Sequence, residues 1–249
     1  MISLKSDREL SLMRKAGGIV GQILAEMAEL VKPGISTFDI DEFAERRIKD
    51  LGALPAFKGY HGFPACVCLS VNEEVVHGIP SKKRVLKDGD IIGIDFGVIY
   101  EGWFGDSART VAVGKIRPEA QKLMDVTRNA MNLGIAECRD GNRVFDIGHA
   151  IQGHVEANGF SVVREFVGHG IGKALHEEPQ VPNFGPKGKG LLLKAGMVLA
   201  IEPMVNAGSH EVKVLNDGWT AVTRDKSLSA HFEHTVAITP DGPQILTLA

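Results

Sequence analysis

Apolar residues recur at three- and four-residue spacing near the start of the chain, and this spacing predicts two amphipathic helices. The first predicted helix covers residues 6–30 and stops at Lys32-Pro33-Gly34, because proline and glycine end a helix. The second follows Ser36-Thr37-Phe38-Asp39, which has the form of a capping box, and ends before Gly52. Short apolar runs broken by glycine and proline come next and are typical of β-strands.

The same order of elements is predicted again in the second half. A third apolar stripe follows Pro118, a residue tolerated in the first turn of a helix, and a fourth covers residues 144–157 before Asn158-Gly159. Residues 177–190 contain three prolines and three glycines and are expected to form a rim or lid loop. Strands are predicted at residues 65–71, 90–95, 110–113, 161–167, 197–201, 211–215, 218–222 and 233–238.

One ten-residue sequence occurs twice in closely similar form. Residues 86–95 are Leu-Lys-Asp-Gly-Asp-Ile-Ile-Gly-Ile-Asp, and residues 193–202 are Leu-Lys-Ala-Gly-Met-Val-Leu-Ala-Ile-Glu. Each copy predicts a strand buried on both faces that ends in a carboxylate, and an acid is costly to bury without a compensating cation or donor. A repeat about 100 residues long predicts two pseudo-equivalent halves around one core, since solenoids and propellers repeat every 20 to 50 residues or so.

Length and composition limit the protein's class. The chain has 249 residues and is 44% hydrophobic, so residues 1–249 are expected to form a single α+β domain with pseudo-repeats of about 1–115 and 116–249. A net charge of -3 gives no global attraction to nucleic acid or an anionic membrane. The sequence near Met1 has no signal-peptide core, which predicts a cytoplasmic protein. Three cysteines are an odd count and are expected to be reduced thiols.

Acids and histidines recur around the repeated sequence. Each half supplies two carboxylates and one histidine in a glycine-flanked turn: Asp95, Asp106 and His77 in the first, and Glu202, Glu233 and His169 in the second. Four carboxylates on an apolar sheet would repel one another and become protonated unless divalent cations lay between them. Four carboxylates and one imidazole suffice for two metal ions, and oxygen ligands favour Mn, Fe(II), Co or Mg. The sequence therefore predicts two-metal hydrolysis by a catalytic domain.

Other kinds of catalytic site have little support in the sequence. There is no G-x-S-x-G nucleophile elbow and no H-E-x-x-H zinc motif. The sequence Gly168-His169-Gly170-Ile171-Gly172 fits neither glycine-rich phosphate-binding pattern. Cys68 lies in an apolar strand and is expected to pack as a small hydrophobe. The remaining histidines lack a repeat partner and are expected to be structural: His61, His149, His154, His210, His231 and His234.

Seven motifs occur in order along essentially the whole chain: Val76-His77-Gly78-Ile79-Pro80, Asp95-Phe96-Gly97, Gly105-Asp106-Ser107-Ala108-Arg109-Thr110, Gly168-His169-Gly170-Ile171-Gly172, His176-Glu177-Glu178-Pro179, Ile201-Glu202-Pro203 and Phe232-Glu233-His234-Thr235. By these motifs the chain resembles the type I methionine aminopeptidases, which belong to the pita-bread metallopeptidases of family M24. This sequence resemblance implies a pita-bread fold, in which two pseudo-symmetric halves form one curved antiparallel sheet covered by helices.

The resemblance also implies roles for individual residues. Asp95 would chelate one metal ion, Asp106 and Glu233 would bridge two, and His169 with Glu202 would complete the other site. A water between two such ions has its pKa lowered towards about 7, which agrees with the hydrolysis predicted from the acids. His77 would position the peptide, His176 would stabilise the developing oxyanion, and Glu202 would carry a proton to the leaving amine.

The implied activity is removal of the N-terminal methionine from nascent proteins and peptides with a small second residue. The implied pocket for methionine contains Tyr60, Phe63, Cys68 and Trp219, and sulfur–aromatic contacts suit such a side chain. A phenylalanine at position 57 is expected to narrow this pocket. The ligand set admits cobalt, manganese, iron(II) or zinc, so the sequence leaves the identity of the two divalent ions open.

Two alternatives stay open in the sequence. One is an X-Pro-directed peptidase of the same fold; such enzymes usually carry a large additional N-terminal domain, whereas here the catalytic-type sequence begins almost at once. The other is a metal-free binding module, which would have lost ligands that this chain retains. The expected partners are peptides with N-terminal methionine, with no nucleic acid and no membrane, and the family type implies a monomer. No basic tail marks a ribosome-docking site, so ribosome association is left open.

Overall fold

The computed structural model describes residues 2–248, and the first half follows the predicted order of two helices and then strands. A 3₁₀ turn at Tyr60–Gly62 separates the first two strands. The elements of this half are α1 (Asp7–Leu30), α2 (Thr37–Asp50), β1 (Leu54–Pro55), β2 (Val67–Val71), β3 (Glu74–Val76), β4 (Ile91–Tyr100) and β5 (Trp103–Ala112).

The second half repeats this order, as the sequence predicts. Its elements are α3 (Pro118–Ala136), α4 (Val144–Ala157), β6 (Ser161–Val162), β7 (Gly168–Gly170), β8 (Glu177–Val181), β9 (Val198–Ile201), β10 (Met204–Asn206), β11 (Val212–Val214), β12 (Ala221–Thr223), β13 (Ser229–His231), β14 (Glu233–Thr239) and β15 (Gly242–Ile245).

Strands from both halves join in one antiparallel sheet. Its order is β1-β4-β5-β14-β9-β7-β8, with β2 also paired to β4 and β15 to β14. Two smaller sheets, β13-β10-β6 and β11-β12-β3, lie beside it. The pair β5–β14 is therefore the seam between the halves, and each copy of the repeated sequence, in β4 or β9, lies directly outside that seam.

Capping and proline signals in the sequence mark where two of the helices begin. Ser36 accepts a hydrogen bond from the Asp39 N–H at 3.2 Å, and its own N–H donates to the Asp39 carboxylate at 3.0 Å, which is the predicted capping box. Pro118 is the first residue of α3. α1 packs on β4 and β5, while α3 packs on β9, β10 and β13 and against α4. Within residues 2–248 no helix combines the length and apolar character needed to cross a membrane.

The central hairpin is longer than the sequence indicates. β4 runs five residues beyond Asp95 and β5 starts at Trp103, whereas strands were expected only at 90–95 and 110–113. The turn residues Glu101 and Gly102 both have positive φ, at 49° and 77°, as a tight hairpin with right-handed twist requires. Asp95 therefore lies in the middle of a strand, and the expectation that this acid ends its strand is wrong.

Other boundaries also differ from the sequence-based expectation. The strand expected at 161–167 is only Ser161–Val162. The loop expected at 177–190 begins instead with a strand, Glu177–Val181, which lies at the edge of the sheet against β7. Alternate side chains of this strand are buried at Pro179 and Val181, a two-residue period that the prolines obscured.

Candidate metal centre

Strand register places four acids on one face of the sheet. Asp95 pairs with Ala108 in the neighbouring strand, and Ala108 pairs with Glu233 across the seam. Asp106 pairs with Gly97, two residues from Asp95, so both side chains point to the same face. Glu202 directly follows β9, at the position that would continue the β9–β14 register opposite Glu233. Register alone thus brings the four carboxylates together.

His169 comes to the same face from β7. It pairs with Ala200 of β9, two residues before Glu202. The glycines on either side are required by close strand contacts: a Cβ on Gly168 would lie 2.3 Å from the Ala200 oxygen, and one on Gly170 would lie 2.3 Å from the Glu178 oxygen. The predicted motif therefore acts as a glycine-flanked strand that delivers one imidazole, and not as an exposed turn.

The polar atoms of this cluster face one another. One ligand atom from each of Asp106, His169 and Glu233 lies within 4.8 Å of the other two. His169 Nε2 is 3.3 Å from Glu202 Oε1, while its Nδ1 is 2.9 Å from the Gly170 oxygen. That backbone contact accounts for the Nδ1 proton and leaves Nε2 as a free lone pair aimed at the acids.

Three of the carboxylates have oxygens without a hydrogen-bond partner. Within residues 2–248, no donor reaches Asp95 Oδ1, Asp106 Oδ1 or Glu233 Oε1, and all three atoms are buried. A buried polar atom of this kind costs about 1–3 kcal/mol, and more when it is charged. These buried oxygens therefore lack a compensating partner among residues 2–248, and a bound ligand would supply one.

The electrostatics of the cluster also favour a cation. Burial raises the pKa of the Asp95 carboxyl to about 7. Burial together with the neighbouring carboxyls raises the pKa values of Asp106, Glu202 and Glu233 well above their usual range. Burial lowers the pKa of His169 to about 4, so its imidazole is neutral at neutral pH. Neutral imidazole and crowded carboxylates fit a divalent metal site, and the chemistry of this donor set is that of a metallohydrolase.

A cavity of about 290 Å³ opens onto the cluster. Every residue that the sequence assigns to the site lines it: Tyr60, Phe63, Cys68, His77, Asp95, Asp106, His169, His176, Glu202, Trp219 and Glu233. Phe57 also lines the cavity, and its ring carbon lies 3.2 Å from the Cβ that Gly97 lacks. The structure thus brings all of these residues together around one space.

One end of the cavity is apolar. Phe63 and Cys68 pack in a small cluster with Trp219, and the rings of Phe63 and Trp219 meet edge to face with centroids 5.1 Å apart. Cys68 pairs with Asp95 across β2 and β4, which places this end directly beside the acids. Burial raises the pKa of the Cys68 thiol well above its usual range, so Cys68 packs as a hydrophobe, as predicted.

Two predicted histidines, His77 and His176, also line the cavity. His77 follows β3 with a positive φ of 61°, and its ring meets those of Phe166 and Trp219 at 5.4 and 6.3 Å. The His176 ring lies 4.3 Å from the His169 ring, and its Nδ1 is 2.7 Å from the Tyr60 hydroxyl. Burial lowers the pKa values of both His77, to about 4, and His176, so both rings are neutral at neutral pH.

The sequence missed two histidines of this site. His231, expected to be structural, is buried with its Nε2 unpartnered within residues 2–248 and 3.9 Å from Glu202 Oε2. His61, also expected to be structural, is exposed at the mouth of the cavity. The signal that could have found His231 is the pairing of β13 with β10, which sets it opposite Met204, two residues after Glu202; nothing in its local sequence marks it.

Comparisons with known proteins agree on one family. The sequence model of metallopeptidase family M24 matches residues 11–240. The chain is 57% identical to a methionine aminopeptidase of Clostridium perfringens over 248 residues, which cover 100% of this chain and 99% of that protein. A crystal structure of methionine aminopeptidase from Thermotoga maritima covers 100% of both chains with a TM-score of 0.99 and 46% identity.

A more distant likeness is limited to the fold. The prolidase of Pyrococcus furiosus matches with a TM-score of 0.80 but only 22% identity, covering 99% of this chain and 65% of the prolidase. The prolidase therefore has about a third of its length outside the shared fold. This likeness places the chain among proteins with a curved antiparallel sheet covered by helices.

Proposed function

Since the chain belongs to metallopeptidase family M24 and is a methionine aminopeptidase with the pita-bread fold, we propose that it holds two divalent metal ions on five side chains. Asp95 would hold one ion, His169 and Glu202 would hold the other, and Asp106 and Glu233 would be shared between the two. The observation that carries this proposal is that buried carboxylate oxygens of Asp95, Asp106 and Glu233 have no donor among residues 2–248. When bound, such ions supply a water with a pKa near about 7 and polarise a carbonyl.

The side chain of the substrate methionine would enter the apolar end of the cavity. Phe63 and Trp219 form an edge-to-face wall there, and the Cys68 sulfur lies at its floor. Thioether sulfur makes favourable contacts with aromatic rings, which suits this wall. The free amine would then lie near Asp95, whose strand neighbour is Cys68. A peptide can place its first residue here only if nothing precedes it, which accounts for cleavage at the N-terminus alone.

The neutral histidines suit hydrogen bonding to the scissile amide. When the Tyr60 hydroxyl donates to His176 Nδ1, the ring proton lies on Nε2 and can be donated to the developing oxyanion. His77, held between the Phe166 and Trp219 rings, orients the peptide. Glu202, whose pKa is raised by burial and by Asp95 and Asp106, can accept a proton and deliver it to the leaving amine.

The mouth of the cavity supports a preference for a small second residue. The Tyr60 ring lies 4.4 Å from the His61 ring and 5.3 Å from the His176 ring. These three rings surround the position where the second side chain would leave the cavity. A bulky second residue would meet them, whereas alanine or glycine would not.

The natural substrates are nascent proteins and peptides in the cytoplasm. All three cysteines are free and buried in the described chain, as expected in a reducing compartment. Every residue assigned a role comes from one chain, so the proposed reaction needs only a monomer.

A peptide panel tests this function. Metal-loaded protein is expected to release methionine from Met-Ala-Ser, to act more slowly on Met-Leu-Ser, and to leave acetyl-Met-Ala-Ser and Ala-Pro intact. Free amino acids released from each peptide would be quantified by chromatography. Cleavage of Ala-Pro with no release from Met-Ala-Ser would overturn the proposed function.

A further inference from the structure

The short segment before α1 contacts the second half of the molecule through Lys5. Its backbone N–H donates to the Gly196 oxygen at 2.7 Å, and its side chain is only 3% exposed. A lysine is rarely buried to this extent without a partner. The partner is Glu177, whose Oε2 lies 2.6 Å from Lys5 Nζ.

The other carboxylate oxygen of Glu177 holds the loop between β7 and β8. Oε1 accepts hydrogen bonds from the backbone N–H groups of Lys173 and Ala174 at 2.7 and 3.2 Å. Glu177 therefore uses one oxygen for the N-terminal segment and the other for the loop. This loop leads from the proposed metal ligand His169 to His176, which directly precedes Glu177.

A glycine makes room for this ion pair. A Cβ on Gly172 would lie 2.6 Å from Lys5 Cε and 2.7 Å from Glu177 Oε1, so any larger residue there would displace the ends of these two side chains. The Gly172 oxygen also accepts the Phe104 N–H at 2.9 Å, which ties the loop to β5. The last glycine of the motif Gly168-His169-Gly170-Ile171-Gly172 is thus explained by the packing of Lys5 and Glu177.

We propose that Lys5, Gly172 and Glu177 form a latch, here named the N-terminal latch, that positions the His176 ring for catalysis. Neither Lys5 nor Glu177 is among the residues that line the cavity, so both act through His176 as positioning residues. The latch fixes the backbone on one side of His176, and the Tyr60 hydroxyl fixes its ring on the other. This inference rests on the role proposed above for His176.

The variant Lys5→Met tests the latch in the metal-loaded enzyme. Loss of the ion pair should lower kcat about 10- to 100-fold for Met-Ala-Ser with little change in KM, because His176 stabilises the transition state more than the bound peptide. In the metal-free protein the His176 ring signals, assigned with His176→Gln, should shift in the NMR spectrum. Lys122→Met removes a lysine from the surface of α3 and should change neither. Val155→Ala, on the buried face of α4, controls for loss of stability alone.

Two further variants break the latch in different ways. Glu177→Gln removes the charge but keeps an oxygen for the loop, and Gly172→Ala displaces the ion pair while both charges remain. Both should share the kcat loss and the NMR shift, and the Lys5→Met/Glu177→Gln double variant should be no worse than either single variant. If Lys5→Met does not fold, Glu177→Gln or Gly172→Ala can replace it in the test.

One set of results would overturn the proposed N-terminal latch. If the latch variants lower only the thermal midpoint, as Val155→Ala does, and leave kcat and the His176 signals as in the wild type, the latch does not position His176. The NMR arm needs no turnover. Failure of the wild type to release methionine would therefore count against the proposed function, while an unmoved His176 signal would count against the latch.

Discussion

The Tyr60 hydroxyl contacts the His176 ring and can determine which ring nitrogen of this histidine carries the proton. His176 Nδ1 is 2.7 Å from the Tyr60 oxygen, and the ring is neutral at neutral pH because burial lowers its pKa. A neutral imidazole carries its proton on one nitrogen only, so a donor at Nδ1 places the proton on Nε2. If the Tyr60 hydroxyl is that donor, Tyr60 has a role beyond lining the cavity.

Replacement of Tyr60 by phenylalanine should expose this role. The ring that lines the cavity remains, but His176 can place its proton on either nitrogen, so kcat should fall about 10-fold with KM nearly unchanged. The ¹⁵N shifts of the His176 ring should show the mixture of tautomers. Tyr100→Phe removes the hydroxyl of the chain's other tyrosine, at the end of β4, and should behave as wild type. Equal kcat values for the two variants would contradict the role assigned to Tyr60.

Site residues that lie in recognisable motifs could be predicted from the sequence. Those brought to the site only by strand pairing could not. His169 and His77 stand next to glycines, and the four acids lie in or near recognisable strands, so the sequence marks them. His231 stands between Ala230 and Phe232 with no such mark. Its Nε2 lies 3.9 Å from Glu202 Oε2 because β13 pairs with β10, the strand that follows Glu202, with His231 opposite Met204.

At the scale of elements, two threonines bridge the seam between β5 and β14. Thr235 Oγ1 donates to the Asp106 oxygen at 2.7 Å and accepts the Asp106 N–H at 3.1 Å. Thr110 Oγ1 donates to the His231 oxygen and accepts the His231 N–H, both at 2.9 Å. The two threonines are related by the pseudo-symmetry of the seam, but only one of them holds the backbone of a proposed metal ligand.

This pair provides a matched test of ligand positioning. Thr235→Val and Thr110→Val each lose two buried hydrogen bonds, and each should lower the free energy of unfolding by about 1–3 kcal/mol. Only Thr235→Val frees the backbone of Asp106, so it alone should weaken metal binding by about 10-fold or more. Denaturant unfolding and calorimetric metal titration would measure the two effects. An equal loss of metal affinity in both variants would contradict this account.

The hairpin β4–β5 explains why some element boundaries were not predictable. Asp95 and Gly97 interrupt the apolar pattern of β4, and Gly105 and Asp106 interrupt that of β5. These are residues at the proposed metal site, where local sequence preference gives way to function. The strand continues through them because Phe96, Val98 and their neighbours still pair across the hairpin and pack in the core.

The whole molecule consists of two similar halves, and the side chains proposed to bind metal ions differ between them. By register, the repeated strands place Asp95 and Glu202 at equivalent positions beside the seam, as the sequence predicts. Asp106, however, corresponds to His231, and Glu233 corresponds to Ala108. The sequence match between Asp106 and Glu233 is therefore wrong as a structural equivalence, because the two acids stand at different distances from their repeated strands.

The histidines differ between the halves in the same way. His169 pairs with Ala200 of β9, and the corresponding pair in the first half is Ser70 with Gly93 of β4. His77, which the sequence matches with His169, follows β3 in a different sheet. Duplication thus accounts for the predictable fold order, while the asymmetric centre depends on substitutions that a repeat cannot predict.

Metal binding to this centre should release protons. Burial and mutual repulsion raise the pKa values of Asp106, Glu202 and Glu233 well above their usual range, so in the metal-free protein these carboxyls keep their protons to higher pH than ordinary carboxyls do. His169, with a pKa of about 4, is already neutral and releases none. Protons should therefore leave the carboxyls as each ion binds, and fewer should be released as the starting pH rises.

A calorimetric titration of the metal-free protein with Mn(II), repeated in two buffers of different ionisation enthalpy, tests the central claim most directly. We expect two ions per chain with release of protons, and loss of at least one ion in Asp106→Asn and in Glu233→Gln, since each of these removes a carboxylate that we propose the two ions share. Binding of a single ion to the wild type, or of two ions to both variants with wild-type affinity, would contradict the two-metal centre.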